Sequence, residues 1–412
     1  MIYCMNKNTY LIDNVTKTLP TIFLKFGSNE LDKIKNVIEY NELIKFKNNI
    51  DNLEYNKSWD KAKKISNDYE LIYLPNKKFK HDSISKYEPL SRAYFKLFEI
   101  LVDFDLINNP NKLNIASLAE GPGGFIEATL NYRKRITNIK DNIQAITLYS
   151  SNKDIPGWNK SKNFLRKNTN VNISYGKDDT GDLYTLSNIK HYASLFKNDV
   201  EFVTADGGFD FSYNFNKQEQ LSYRILFCEI VTALSVQKKG GSFVCKFFDI
   251  YTETSQSLIY LLVSLYKNVY ITKPNTSRTA NSEKYIICKG FLGISKEYLN
   301  KLYVVVKSLD FISNNKMYLH QIFKYDDINF INKINEINTH FYNNQINSIK
   351  NTLNIIELNE LEIEFKDSIK KQTILAYNWC KYYNVSVNYT SKYIKKYKQS
   401  LSISKFKTKK KY

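Results

Sequence analysis

Four charged residues, two lysines and two acids, stand in surroundings that suit catalysis better than a solvated surface. Lys246 lies inside an otherwise apolar predicted strand, SFVCKFFD, where an unpaired lysine costs on the order of several kcal/mol. Asp206 ends the predicted strand in VTADGGFDF, Lys96 lies in the helical stretch SRAYFKLFEI, and Glu283 begins the last predicted strand. Two lysines and two carboxylates in one pocket balance in charge. Burial beside a second positive charge lowers the pKa of a lysine, so that Lys246 could act as a base near neutral pH.

Three of these residues also have simpler interpretations. Lys96 could be an exposed helix lysine, Asp206 a turn residue, and Glu283 a solvated acid. A doubly wound sheet, however, brings the carboxyl ends of its strands to one crevice. Asp206 and Lys246 are therefore expected to meet there.

A glycine-rich loop is the second feature with chemical meaning. Only 13 of the 412 residues are glycine, yet three of them fall within four positions of SLAEGPGGFIEATL. The spacing is not GxGxxG and the loop lacks GK[ST], which disfavours a dinucleotide or a P-loop phosphate site. An acid at its mouth would repel phosphate and attract a cation, as in S-adenosylmethionine; the alternative is a plain tight turn. The loop residues assigned to cofactor binding are Glu120, Gly121, Pro122, Gly123, Gly124 and Phe125.

Alternating strand and helix patterns must position these residues. Apolar runs such as KLNIASLA, NIQAITLY, DVEFVTADGG and GGSFVCKFF alternate with amphipathic stretches, as in KQEQLSYRILFCEIVTALSVQKK. This alternation predicts an α/β, Rossmann-like, doubly wound and mostly parallel sheet. The last two predicted strands, NVYIT and EKYIICKGF, should form a hairpin and supply one antiparallel edge strand. Ser91 is the expected N-cap of the helix that carries Lys96.

Composition and patterning divide the chain into four predicted segments. They are an N-terminal accessory segment (1–85), the α/β domain (86–295), a helical C-terminal extension (296–380) and a basic tail (381–412). In the extension, Ile331, Ile334, Phe341 and Ile349 recur at helical intervals. The tail contains ten lysines and no acid, so it is either a solvated appendage or an arm that binds phosphates.

Bulk composition narrows the class of partner. The formal net charge of +19 attracts polyanions, nucleic acid above all, although lysine-rich codon bias would also produce it. Five scattered cysteines without metal spacing disfavour zinc and suit a reducing, intracellular compartment. Neither a secretory signal nor a run of 18 apolar residues is present, so no membrane span is expected.

The motifs SRAYFK, AEGPGGF, ADGG, CKFF and KPNTSR…SEKYIICKGF, in this order over about half the chain, resemble the RrmJ/FtsJ-type ribose 2′-O-methyltransferases. The resemblance implies S-adenosylmethionine as cofactor, RNA as substrate, no metal, and a catalytic tetrad of Lys96, Asp206, Lys246 and Glu283. It also implies cofactor contacts from Ser91, Asp182, Asp206 and the glycine loop, and substrate contacts from Asn216, Lys246 and Glu283. The second strand lacks the terminal acid of many methyltransferases, for which Asp154, Asp179 or Asp182 could substitute.

The middle section, ITLYSSNKDIPGW with YGKDDTGDLYTLSNI, is similar to the mRNA cap-type branch, whose relatives with long flanks occur in eukaryotes and large DNA viruses. The expected function is 2′-O-methylation of RNA in the cap region, with neutral Lys246 as base, Asp206 orienting it and Glu283 orienting Lys96. Tyr213 and Phe215 could stack an RNA base or belong to the core. Three alternatives stay open: an internal rRNA or tRNA target, a non-catalytic RNA-binding subunit of the same fold, and a small-molecule or protein methyltransferase.

Overall fold

A computed structural model describes residues 8–28, 34–50, 53–75, 82–152, 157–208, 215–357 and 363–397. Eight of its strands form one sheet: β1 (Thr9–Leu11), β3 (Asn114–Leu118), β4 (Asn142–Ile146), β5 (Val171–Ser174), β6 (Val200–Ala205), β7 (Gln237–Phe247), β8 (Tyr266–Thr272) and β9 (Lys284–Phe291). Their order is β1-β8-β9-β7-β6-β3-β4-β5. Strands β5, β4, β3, β6 and β7 pair in parallel, so the predicted fold class is confirmed.

The antiparallel strand does not lie where the sequence suggested. The hairpin of β8 and β9 forms, but β9 also pairs with β7 and is therefore internal. The edge is taken by β1, which is antiparallel to β8. Burial explains the difference: residues 285–288 of β9 are fully buried, and a strand that is apolar on both faces suits the middle of a sheet. The short β1 suits an edge.

In the described part of the chain, the following helices surround the strands. They are α1 (Val37–Ile50), α2 (Leu53–Ile65), α3 (Ala93–Phe104), α4 (Gly124–Arg133), α5 (Lys162–Lys167), α6 (Leu186–Ser194), α7 (Gln218–Val236), α8 (Glu253–Leu265), α9 (Lys296–Asn314), α10 (Ile328–Glu357) and α11 (Ile363–Tyr382). Side chains along β3 alternate between two cores: Ile115 packs with α3 and α4, while Ala116 and Leu118 pack with α7 and α8. Because successive strand residues face opposite sides, the sheet is covered on both faces.

The flanking segments pack onto this core. Helices α9, α10 and α11 confirm the helical C-terminal region, which also contains a strand that the helical periodicity did not reveal. This strand, β10 (Tyr318–Lys324), pairs with β2 (Thr21–Gly27) in a separate two-stranded sheet. In α10, Ile334, Phe341 and Ile349 are buried as their spacing predicted.

The first part of the basic tail is neither an appendage nor a free arm. Val385, Val387 and Ile394 are buried in the core beside α3. Val385 and Val387 alternate with Ser386 and Asn388 before the lysines at 392, 395 and 396 begin. The tail beyond residue 397 lies outside the described residues. No helix in the described part of the chain is long and apolar enough to span a bilayer.

Candidate active site

The four charged residues singled out above lie together as two ion pairs. Lys96 Nζ is 2.6 Å from Glu283 Oε1, and Lys246 Nζ is 3.0 Å from Asp206 Oδ1. All four side chains are at least four-fifths buried. The charges of Lys96 and Glu283 also act on Asp206, so the two pairs form one cluster, which we call the four-charge cluster. Their catalytic roles stay a prediction.

Neighbouring strands position this cluster. Asp206 directly follows β6, and Lys246 lies near the carboxyl end of the adjacent β7, where Ala205 pairs with Cys245. Glu283 immediately precedes β9, and Lys96 lies in the first turn of α3. The carboxyl ends of the parallel strands β6 and β7 therefore position Asp206 and Lys246. The amino end of the antiparallel strand β9 positions Glu283 beside them.

One electrostatic expectation was wrong. Burial lowers the pKa of Lys246, but the carboxylates of Asp206 and Glu283 outweigh burial, so its pKa is raised. Lys246 Nζ also donates to the Asp206 carbonyl at 2.8 Å, which further favours the ammonium. Lys96 does not counter this because its charge is compensated by Glu283. Although burial raises the pKa of Glu283, Lys96 and Lys246 bring it down to about 2.

The glycine loop leads into helix α4, and Glu120 at the start of the loop caps the first N–H groups of that helix. Glu120 Oε1 accepts the N–H groups of Phe125 and Ile126 at 2.8 and 3.2 Å, in the first turn of α4. Glu120 Oε2 is buried without a hydrogen-bond partner among the described residues. Burial, together with the charge of Asp206, raises the pKa of Glu120 well above its usual value. A helix N-terminus that is occupied by a carboxylate does not offer its amides to phosphate.

Ser91 is not an N-cap. Helix α3 begins at Ala93, the preceding residue is Arg92, and no side chain caps the helix. Ser91 Oγ instead lies against Gly124, where a Cβ atom would overlap it. The Phe125 ring is fully buried in the core, so this residue serves the loop through its backbone N–H.

Replacing Gly124 by alanine is expected to lower the free energy of unfolding by about 1–3 kcal/mol and to weaken binding of S-adenosylmethionine, the methyl donor expected at this loop. The added Cβ would overlap Ser91 Oγ and lie 3.3 Å from Ala93 Cβ and Tyr94 N. Denaturant unfolding and donor titration calorimetry measure the two effects. Gly157→Ala is the matched control, because a Cβ there meets nothing within 4 Å; equal losses in both variants would contradict the steric argument.

The remaining predicted residues are less closely tied to the cluster. Asp182 lies beside the glycine loop: its neighbour Gly181 packs on the Thr147 carbonyl, and Thr147 Oγ1 accepts the Gly121 N–H at 3.3 Å. The Asp182 carboxylate accepts the Tyr184 N–H at 2.8 Å. Asn216 Nδ2 donates to Asn48 Oδ1 of α1 at 2.6 Å, and its substrate role stays a prediction. Asp154, Tyr213 and the Phe215 side chain lie outside the described residues.

Sequence reasoning missed three buried supporting residues. Glu229 Oε1 accepts the Gly207 N–H at 2.9 Å and fixes the chain just after Asp206. The Tyr285 hydroxyl donates to Glu283 Oε1 at 2.9 Å, and Lys273 Nζ donates to the Glu283 carbonyl at 2.8 Å. Glu229 could have been noticed as an acid inside the apolar helix ILFCEIVTAL; Tyr285 gives no such signal. Within the described ranges, no group of three or more potential metal ligands occurs.

Sequence comparison relates part of this chain to known methyltransferases. Residues 89–291 match the FtsJ-like methyltransferase family. The chain is 32% identical over 255 residues to a cap-specific mRNA (nucleoside-2′-O-)-methyltransferase 1 of Trypanosoma cruzi, covering 58% of this chain and 65% of that protein. The mouse protein of the same name is 37% identical over 209 residues, which are 48% of this chain and 24% of the mouse protein. The chain thus spans less than two thirds of these relatives.

Among solved structures, human methyltransferase-like protein 13 in complex with SAH covers 52% of this chain and 86% of that chain, at 10% identity and a TM-score of 0.29. A score this low adds no argument to the sheet topology described above.

Proposed function

We propose, from the premise that residues 89–291 are an FtsJ-like methyltransferase domain, that this chain transfers a methyl group to a ribose 2′-hydroxyl in the cap region of mRNA. The observation that carries the proposal is the four-charge cluster beside a glycine loop in which Glu120 occupies the N-terminus of the following helix. A ribose hydroxyl is a weak acid, and a buried lysine held between acids is a group that could take its proton.

The residues of the loop fit S-adenosylmethionine as the methyl donor. The ligand presents an ammonium and a sulfonium, and the site presents the partnerless Glu120 Oε2 and the Asp206 carboxylate. Glu120, the loop backbone at 121–124 and Asp206 would hold it. When bound, S-adenosylmethionine supplies an electrophilic methyl group and leaves as a neutral thioether with the electron pair of the broken S–C bond.

The chain's own residues carry the proton and the charge. Lys246 Nζ, once neutral, accepts the proton of the 2′-hydroxyl as the oxygen forms its bond to the methyl carbon. Asp206 holds Lys246 Nζ through its carboxylate and its carbonyl. Glu283 holds Lys96, whose ammonium stabilises the negative charge that develops on the oxygen. Holding oxygen and methyl in attack geometry supplies much of the rate.

Capped mRNA is the substrate that we favour over internal ribose positions. The Trypanosoma cruzi and mouse relatives are both named as cap-specific enzymes, and the net charge of +19 suits a polyanionic partner. The buried free thiols Cys228, Cys245, Cys288 and Cys380 support a reducing, intracellular compartment.

One incubation tests the proposal. The protein receives methyl-labelled S-adenosylmethionine and RNAs that are identical except for the cap, followed by digestion to nucleosides. We expect label in a 2′-O-methylated nucleoside next to the cap and little in uncapped RNA. Equal labelling of uncapped RNA would move the target to internal ribose, and label in a base would refute 2′-O-methylation altogether.

A further inference from the structure

Helix α3 carries a second charged residue that faces the active-site region, one turn beyond Lys96. Glu99 is 1% exposed and belongs to neither ion pair of the four-charge cluster. Its carboxylate reaches the connection between β8 and β9, residues 273–283, which ends in Glu283. We call this connection the β8–β9 loop.

Four donors converge on the Glu99 carboxylate. Its Oε1 accepts the Asn275 N–H at 2.6 Å, and its Oε2 accepts the N–H and the hydroxyl of Thr276, both at 3.2 Å. The indole N–H of Trp379 in α11 donates to Oε2 at 3.2 Å. Three of the four donors therefore belong to the β8–β9 loop, and the fourth anchors the C-terminal region.

A lysine at the start of the β8–β9 loop binds the end of the same loop, next to Glu283. Lys273 Nζ donates to the carbonyls of Asn281 and Glu283 at 2.7 and 2.8 Å, joining the two ends of the loop. Fixing residues 275 and 276 on α3 therefore also constrains where Glu283 can lie. Its ion-pair partner, Lys96, is on the same helix, so one helix holds both the loop and the lysine that the loop must meet.

We propose that Glu99 is a positioning residue that sets the Lys96–Glu283 pair by binding the β8–β9 loop to α3. This inference rests on the proposed methyl transfer for its kinetic consequence, but the structural part stands without it. A buried carboxylate is costly unless donors surround it, and burial, aided by Asp103, raises the pKa of Glu99 to about 7.

The same helix offers a matched control. Asp103 lies one turn further along α3, also in a largely buried position, and accepts the Tyr383 hydroxyl at 3.0 and 3.1 Å. It binds the same C-terminal region as Glu99 but not the β8–β9 loop. Asp103→Asn therefore perturbs packing between α3 and the C-terminal region while leaving the loop attached. It also removes a charge that raises the pKa of Glu99, which favours the Glu99 carboxylate that accepts from the loop.

The experiment compares Glu99→Gln with Asp103→Asn in the full chain. Glutamine turns one acceptor oxygen into a donor that faces other donors. We expect kcat of Glu99→Gln to fall about ten- to a hundredfold, with KM for the methyl donor within about twofold and kcat of Asp103→Asn within about threefold. Hydrogen exchange should show faster exchange in peptides that contain the 275 and 276 amides only for Glu99→Gln.

Two results would overturn the proposal: unchanged protection of these amides in Glu99→Gln, or equal kcat losses in the two variants at equal folded fraction. If Glu99→Gln does not fold, Thr276→Val removes only the hydroxyl donor and should give a smaller loss of kcat in the same direction; unchanged kcat there counts against the proposal. Failure of the proposed function would show separately, as a wild-type protein that methylates no RNA.

Discussion

Lys246→Ala is expected to reduce methyl transfer about a hundred- to ten-thousandfold, the range that general base catalysis contributes. Alanine removes the nitrogen that would take the hydroxyl proton, while the glycine loop and Asp206 remain to hold the donor. Binding of the methyl donor should therefore stay within about tenfold. Single-turnover methylation of capped RNA and donor titration calorimetry measure the two quantities.

Two further substitutions sharpen the test of Lys246. Lys246→Arg keeps the positive charge but should be equally inactive, because a guanidinium does not lose its proton. Lys238→Ala is the matched control: Lys238 lies on the same strand, β7, and pairs with Glu201. Near-normal turnover by Lys246→Arg would show that charge at this position suffices and would remove the residue from the role of base.

The rate of methyl transfer should rise about tenfold per pH unit between pH 7 and pH 9, without a plateau. Lys246 must be neutral to accept a proton, and its pKa is raised by the carboxylates of Asp206 and Glu283, with the buried Glu229 acting in the same direction. Below that pKa, the neutral fraction of an amine grows in proportion to the hydroxide concentration. A free lysine already titrates at about 10.4, so the whole range lies on the rising limb.

Single-turnover rates under saturating donor and RNA measure this profile, with circular dichroism at each pH as the control for folding. Glu283→Gln should move the rising limb to lower pH, since it removes one of the charges that hold the proton on Lys246. A rate that is independent of pH from 6 to 9 would contradict a titrating base. A plateau reached below pH 8 would show that the cluster lowers the pKa of Lys246, as the sequence alone suggested.

Strand topology sufficed to predict that Asp206 and Lys246 meet, whereas Lys96 and Glu283 joined them only through the family resemblance. Asp206 and Lys246 stand at the carboxyl ends of adjacent parallel strands, and that convergence needs no atomic detail. The direction of the pKa shift of Lys246 could not be predicted from topology in this way. It depends on which acid lies nearest to which lysine: Lys96 pairs with Glu283 at 2.6 Å, and Lys246 pairs with Asp206 at 3.0 Å.

Neither the internal position of β9 nor the existence of β10 was predicted from the sequence. Apolar alternation reports how buried a strand is, but not which neighbours bury it. Strand β10 (YLHQIFK) and its partner β2 (TIFLKFG) mix apolar and charged residues, so each gains its pairing from a segment some 300 residues away. Serine is a residue type that often caps helices, but the Ser91 hydroxyl group packs against Gly124 and does not cap α3.

The burial of Trp379, Val385 and Val387 against the core beside α3 has a practical consequence for anyone who trims this protein. A shortened version that stops near residue 291, where the family match ends, would remove the apolar side chains that cover the helix bearing Lys96. Such a truncation should precipitate or misfold, even though it retains every side chain of the four-charge cluster. The last helix and the strand-like segment after it belong in any working fragment.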